Sequence, residues 1–202
     1  MIDAEISDDF LIGHADRLEA EAVILVRELG LLPMLGTVGE AVQIGSSVMG
    51  LMVWRDLDFV VHSPGLPSSQ AFESLKPLLE TPSLRALEYL NDHGPDLERP
   101  EDSRHYFIAR YERTPGVVWK LDFTFWTAVG RHDHESYSRS ILERLTPENR
   151  LAILRIKYLW HKRPSYPYQV GGYEVYDAVL NFRVRTPQEF SAYLRAHGLP
   201  TG

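Results

Sequence analysis

Gln43-Ile44-Gly45-Ser46-Ser47, followed after residues 48–55 by Asp56-Leu57-Asp58-Phe59-Val60, is the stretch that decides how this chain folds. Glu40 to Ile44 reads as a strand that ends at Gly45. Arg55 to Val61 reads as a second strand, broken by Pro64, Gly65 and Pro67. Alternate side chains on a strand point to opposite faces, so Asp56 and Asp58 emerge together while Leu57 turns into the core. Two carboxylates this close repel each other unless a cation neutralises them. Hard divalent cations take oxygen ligands, and magnesium typically uses one or two carboxylates plus phosphate oxygens.

A third acid fits the same pattern. His105 to Arg113 and Val117 to Trp126 read as two long strands joined by a turn at Thr114-Pro115-Gly116. In the second of them Leu121, Phe123 and Phe125 face one way, and Lys120, Asp122 and Thr124 the other. Asp122 is therefore a lone carboxylate with apolar neighbours behind it. If its strand lies beside that of Asp56 and Asp58, three carboxylates converge. Such a cluster suits two metal ions that clamp the attacking and leaving oxygens of a phosphoryl transfer. Gly45 lets the backbone approach a ligand closely. A helix starting after that strand would turn its free N–H groups toward a triphosphate. A lone Asp-x-Asp is usually a solvated strand end; Gly45-Ser46 and Asp122 are what give this one chemical meaning.

A Gly-Ser pair, a short interval, Asp-apolar-Asp-apolar and a distant third acid in a strand together resemble the signature of the DNA polymerase beta-like nucleotidyltransferase superfamily. The resemblance covers roughly Val42 to Trp126. The small sheet followed by a helical C-terminal part is similar to the aminoglycoside and lincosamide nucleotidyltransferases of that superfamily. The resemblance implies that Asp56 and Asp58 bind two Mg²⁺ ions. It implies that Asp122 binds the catalytic ion and helps to deprotonate the attacking hydroxyl, and that Gly45 and Ser46 form the phosphate-binding turn. It also implies a lysine on a later helix that reaches the triphosphate, and Lys157 stands on such a helix. A solvated stripe of Arg150, Lys157 and His161 is the competing reading of that lysine.

Elsewhere the chain reads as α+β, a small mixed sheet first and helices last. The expected domains are a nucleotidyltransferase core over 1–130 and a helical part over 131–202. Helices are expected at Asp16 to Leu29, Ser68 to Leu79, Ser83 to Leu90, Glu148 to His161 and Tyr173 to Phe182, with a last one opened by Thr186-Pro187-Gln188-Glu189. Asn91 to Ser103 reads as a loop. His132-Asp133-His134-Glu135 reads as a polar loop rather than a transition-metal site. Tyr166, Tyr168, Tyr173 and Tyr176 are open to two readings, base stacking or packing. Glu174 is a speculative general base, with a surface acid at a helix start as the alternative.

Composition limits what else the chain does. It has 202 residues, 44% hydrophobic and 24% charged, which suits an ordinary globular protein with its own core. The absence of Cys excludes thiolate metal sites, disulfides and Cys nucleophiles. Asp3, Glu5, Asp8 and Asp9 near the start are unlike a signal peptide, so a cytoplasmic location without membrane association is expected. A net charge of −7 argues against a long nucleic-acid substrate. The expected reaction is transfer of a nucleoside monophosphate from a Mg²⁺-bound nucleoside triphosphate to a hydroxyl of a small-molecule acceptor such as an antibiotic, with release of pyrophosphate. Two alternatives stay open: an antitoxin-type enzyme with a protein hydroxyl as acceptor, and a non-catalytic nucleotide-binding protein of the same fold. A homodimer is compatible with the sequence.

Overall fold

The computed structural model describes residues 6–93, 99, 102–128 and 134–201. His132 and Asp133 lie outside the described residues, as does part of the expected Asn91 to Ser103 loop. Contacts divide the chain into two units. The sheet unit holds Glu21–Ser47 and Arg55–Glu135; the helical unit holds Met1–Ala20, Val48–Trp54 and Ser136–Gly202. The units are not collinear with the sequence, because the short segment Val48–Trp54 groups with the C-terminal helices.

The sheet unit carries β1 (Glu40–Ile44), β2 (Asp56–His62), β3 (Leu84–Asp92), β4 (Arg104–Thr114) and β5 (Val117–Trp126). They form a five-stranded sheet in the order β1-β2-β5-β4-β3. β2 runs parallel to β5; the other neighbours are antiparallel. β4 and β5 make the expected hairpin. The parallel register sets Leu57 beside Leu121 and Phe59 beside Phe123. The two Phe rings stack with centroids 5.6 Å apart, and all four side chains are buried. Burying each such side chain stabilises by about 1.5–3 kcal/mol. Helix α3 (Ser68–Ser74) covers this apolar face at one point, where Phe72 meets the Phe107 ring edge-on at 4.8 Å.

Residues 84–92 correct the expected helix over Ser83 to Leu90. Leu84, Leu87 and Leu90 recur at a helical interval, yet the segment pairs with β4 along its length, with one irregularity between Leu84 and Ala86. It is an edge strand of the sheet, much of it is exposed, and the alternation that marks an inner strand is lost.

The chain also carries α2 (Leu31–Leu35), α4 (Lys76–Leu79) and α5 (His134–Leu142), so His134 and Glu135 open a helix rather than lying in the expected polar loop. In the helical unit, α6 (Pro147–Trp160), α7 (Gly172–Phe182) and α8 (Pro187–Ala196) share a core. Trp160 meets Phe190 edge-on with centroids 5.1 Å apart. Thr146 caps α6 by accepting from Asn149 N, and Thr186 and Glu189 form the capping box of α8. The first helix, α1 (Asp8–Glu28), begins earlier than expected: Leu11, Ala15, Leu18, Ala22 and Leu25 are all buried at helical spacing. Met49 and Leu51 enter the helical core, and Val53 packs with Leu11, Ala15 and Leu154. Among the described residues no helix is long and apolar enough to cross a membrane.

Candidate active site

The parallel register of β2 and β5 builds the site. Asp58 is the direct partner of Asp122, and Asp56 that of Lys120. Strand neighbours in register point the same way, so all four side chains share the face opposite the Phe59–Phe123 stack. Asp56, Asp58 and Asp122 each offer a carboxylate oxygen within 4.8 Å of the others. At that separation two carboxylates repel by about 3–4 kcal/mol at an effective dielectric near ~20. The cluster therefore depends on positive charge.

Part of that charge is Lys120, which the alternation of β5 places on the Asp122 face but to which the sequence assigns no role. Its side chain is 5% exposed. The ammonium donates to Asp56 Oδ1 at 3.2 Å and to Asp122 Oδ2. Burial disfavours the Lys120 ammonium, but Asp56, Asp122 and Asp58 outweigh it and hold its pKa above the ordinary lysine value. Tyr106 on β4 also donates to Asp122 Oδ2, at 2.8 Å. Asp122 Oδ1 is buried and has no hydrogen-bond partner among the described residues.

The turn after β1 completes the site. Ile44 pairs with Asp58, so the chain leaves β1 directly over that carboxylate. Gly45 has φ +77°, and a Cβ there would lie 2.3 Å from Asp58 Oδ2. Glycine is required by conformation and by space alike. Gly45–Val48 forms a single 3-10 turn in which Ser46 is buried, rather than the opening of a longer helix. Gln43 Nε2 donates to Ser47 Oγ at 2.9 Å and ties the turn to β1.

A divalent cation fits this donor set. Among the described residues, three carboxylates share the Lys120 ammonium in a small volume. Asp122 Oδ1 adds unspent acceptor capacity, and all the ligands are the hard oxygens that Mg²⁺ prefers.

Structure thus brings Gly45, Ser46, Asp56, Asp58 and Asp122 into one unit. Lys157 belongs to the helical unit. It is not on a solvated stripe: it is 2% exposed, and its Nζ donates to Leu51 O at 2.8 Å and to Tyr176 Oη at 3.2 Å. Arg150 Nε donates to Gly50 O and His14 Nε2 to Val53 O, both at 3.0 Å. Three basic side chains thereby hold the carbonyls of the segment that joins the glycine turn to β2. The stripe fails because α6 is buried on several sides, so a long side chain on its polar seam reaches inward to a backbone carbonyl. Glu174 accepts from Gly171 N at 2.7 Å and caps α7. Tyr176 is buried, whereas Tyr168 and Tyr173 are exposed, Tyr173 stacking on Tyr137 with centroids 5.9 Å apart. His134 accepts from Trp126 Nε1 at 3.2 Å and stacks on its ring.

No protein-family model matches the chain. A search of curated proteins found no match either. Solved structures match by fold. A cytoplasmic RNA terminal U-transferase superposes with a TM-score of 0.56 at 19% identity, over 83% of this chain and 49% of that one. A mutant of the Cid1 poly(U) polymerase bound to MgATP gives 0.58 at 17% identity, over 83% and 50%. Cid1 with its short product ApU gives 0.55 at 17%, over 83% and 49%. The chain therefore spans about half the length of these solved structures. Its mixed α+β architecture matches the nucleotidyltransferase fold they share. They do not carry the narrower likeness to antibiotic enzymes. They also correct the expected partners, a small-molecule acceptor and no nucleic acid, because the proteins named act on RNA. Net charge averages the whole surface, so it carries no argument about a local groove.

Proposed function

We propose that the chain is a Mg²⁺-dependent nucleotidyltransferase that moves a nucleoside monophosphate from a nucleoside triphosphate to a terminal hydroxyl of RNA. The observation that carries this reading is the convergence of Asp56, Asp58 and Asp122 within 4.8 Å beside the Gly45 turn. An RNA acceptor is suggested by what the solved structures of this fold act on.

In this reading Asp56, Asp58 and Asp122 would hold the Mg²⁺ ions, with Asp122 on the catalytic one. Bound there, Mg²⁺ would neutralise the triphosphate and the developing charge on the oxygens being exchanged. The chain's own residues do the rest. Gly45 keeps the space beside Asp58 open, and the Gly45-Ser46 turn offers backbone N–H groups and a hydroxyl to the phosphates. The acceptor oxygen attacks the α-phosphorus, its bond to pyrophosphate breaks, and pyrophosphate leaves. The hydroxyl proton passes to Asp122 Oδ1, while Tyr106 fixes the other oxygen of that carboxylate. Lys157 is retained as a triphosphate ligand, and a nucleotide that took its ammonium would take it from Leu51 and Tyr176. Positioning and charge neutralisation supply most of the catalysis.

Incubation with each labelled nucleoside triphosphate, Mg²⁺ and an RNA oligonucleotide tests this. Extension of the RNA with release of pyrophosphate is expected, and blocking its 3′-hydroxyl should stop it. No extension with any triphosphate, while a protein added to the reaction becomes labelled, would move the acceptor from RNA to a protein hydroxyl.

A further inference from the structure

Lys120 spends its ammonium on the atoms that a divalent cation would use. It donates to Asp56 Oδ1 and Asp122 Oδ2, from a position in register with Asp56 and on the strand of Asp122. It is 4% exposed, so water does not offer it comparable partners. A carboxylate oxygen has about two lone-pair sites. On Asp122 Oδ2 both are taken, one by Tyr106 Oη and one by Lys120 Nζ. A cation cannot reach that oxygen at full strength while the ammonium stays.

We propose that Lys120 is a resident stand-in for the divalent cation, a positioning residue that holds Asp56 and Asp122 together in the metal-free protein and is displaced from them when a metal ion binds. The proposal rests on the reading of the three acids as a metal centre. It makes metal affinity the outcome of a competition. The metal-free fold gains a neutralising charge, and weak binding is the consequence. A salt bridge with a merely structural role would behave otherwise, since its removal would loosen the carboxylates and leave cation binding equal or weaker.

The test uses the full chain and Mn²⁺ as the probe, with titration calorimetry and melting curves. Lys120→Met should melt below the wild type without metal. It should bind Mn²⁺ at least ~10-fold more tightly, and its melting temperature should rise more on Mn²⁺ addition. Lys120→Arg keeps the charge and should show no such tightening. Equal or weaker Mn²⁺ binding by Lys120→Met, with clear binding by the wild type, overturns the proposal alone. If the wild type does not bind Mn²⁺, or Asp58→Asn binds it as tightly as the wild type, the metal-centre reading fails and the proposal with it. Folding of Lys120→Met only when Mn²⁺ is present would support the proposal. Should that variant fold in neither condition, Lys120→Gln, which lacks the charge but keeps a donor, is read by the same criteria.

Discussion

Asp58 and Asp122 are direct partners across the parallel β2–β5 pair, so residues far apart in sequence stand side by side on one face of the sheet. Behind them, Leu57, Phe59, Leu121 and Phe123 lock the two strands in that register. A slip of one residue would send every side chain of a strand to the other face. The apolar face therefore fixes the geometry of the acidic one.

Asp58→Asn should keep the fold and abolish transfer. Asn is nearly isosteric, and the packing of Leu57 and Phe59 lies on the other face. Each decade of lost rate corresponds to ~1.4 kcal/mol of transition-state stabilisation, and a ligand shared by two ions should account for several decades. Pyrophosphate release by this variant and by Asp122→Asn, alongside melting curves, checks this. Wild-type rates in Asp58→Asn would exclude the acid cluster as the active site.

Gly45→Ala should be much more damaging than Gly116→Ala. Both glycines have positive φ, +77° and +78°. Either substitution incurs about 1–2 kcal/mol of backbone strain. Of the two, the new Cβ at Gly45 also meets a side chain, Asp58 Oδ2 at 2.3 Å, whereas at Gly116 nothing among the described residues lies within 4 Å. The expected outcome is a modest loss of stability in both and a loss of Mg²⁺–nucleotide affinity in Gly45→Ala alone. Calorimetry on the two variants measures it, and equal nucleotide affinities would make Gly45 a structural turn only.

The sequence was most legible where a local pattern decides the structure. Asp56 and Asp58 could be placed on one face because strand alternation is strictly local, and Thr146 and Thr186 announced their helices by cap chemistry; that Asp122 joins them depended on β2 and β5 being neighbours. Lys120 and Asp122 could be seen to share a face. That Lys120 reaches Asp56 depends on inter-strand register, which no local window contains. β3 failed for a related reason: its leucines keep a helical interval, and only its pairing with β4 makes it a strand. The capture of the Gly50, Leu51 and Val53 carbonyls was invisible because the donors, Arg150, Lys157 and His14, come from distant segments.

His105 should make stability fall in mild acid. It is buried, donates from Nε2 to Leu66 O at 3.0 Å and accepts from Tyr89 Oη at 2.9 Å. Burial lowers its pKa below the ordinary 6.5, against the opposing pull of the Leu66 carbonyl. The unfolded chain takes up a proton near ~6.5 and the folded chain does so only at lower pH. The stabilising contribution is therefore full above the unfolded pKa and is lost as pH falls through the folded one. His161, lowered chiefly by burial too, acts in the same direction. His105→Phe should melt lower than the wild type near neutrality but lose less between about pH 7 and 5. Parallel pH profiles would show that His105 contributes nothing to the slope.

Lys157 gives the sharpest contrast between the expected and the observed surroundings. On an exposed stripe its removal would leave stability unchanged. As a buried side chain bonded to Leu51 O and Tyr176 Oη, it should behave otherwise. Lys157→Ala leaves the Leu51 carbonyl unpaired, at about 1–3 kcal/mol, and opens a cavity whose cost adds to that. A total loss of about 2–4 kcal/mol is expected. Lys157→Met refills the space and should recover the cavity part only. The Leu51 segment leads into Asp56, so nucleotide affinity should fall in both variants under conditions where they remain folded. Denaturant unfolding gives the stability terms, and calorimetry with Mg²⁺–nucleotide gives the affinity. If Lys157→Met loses affinity as fully as Lys157→Ala while recovering stability, the charge itself is needed by the nucleotide. If its affinity recovers along with its stability, the lysine acts only by holding the segment.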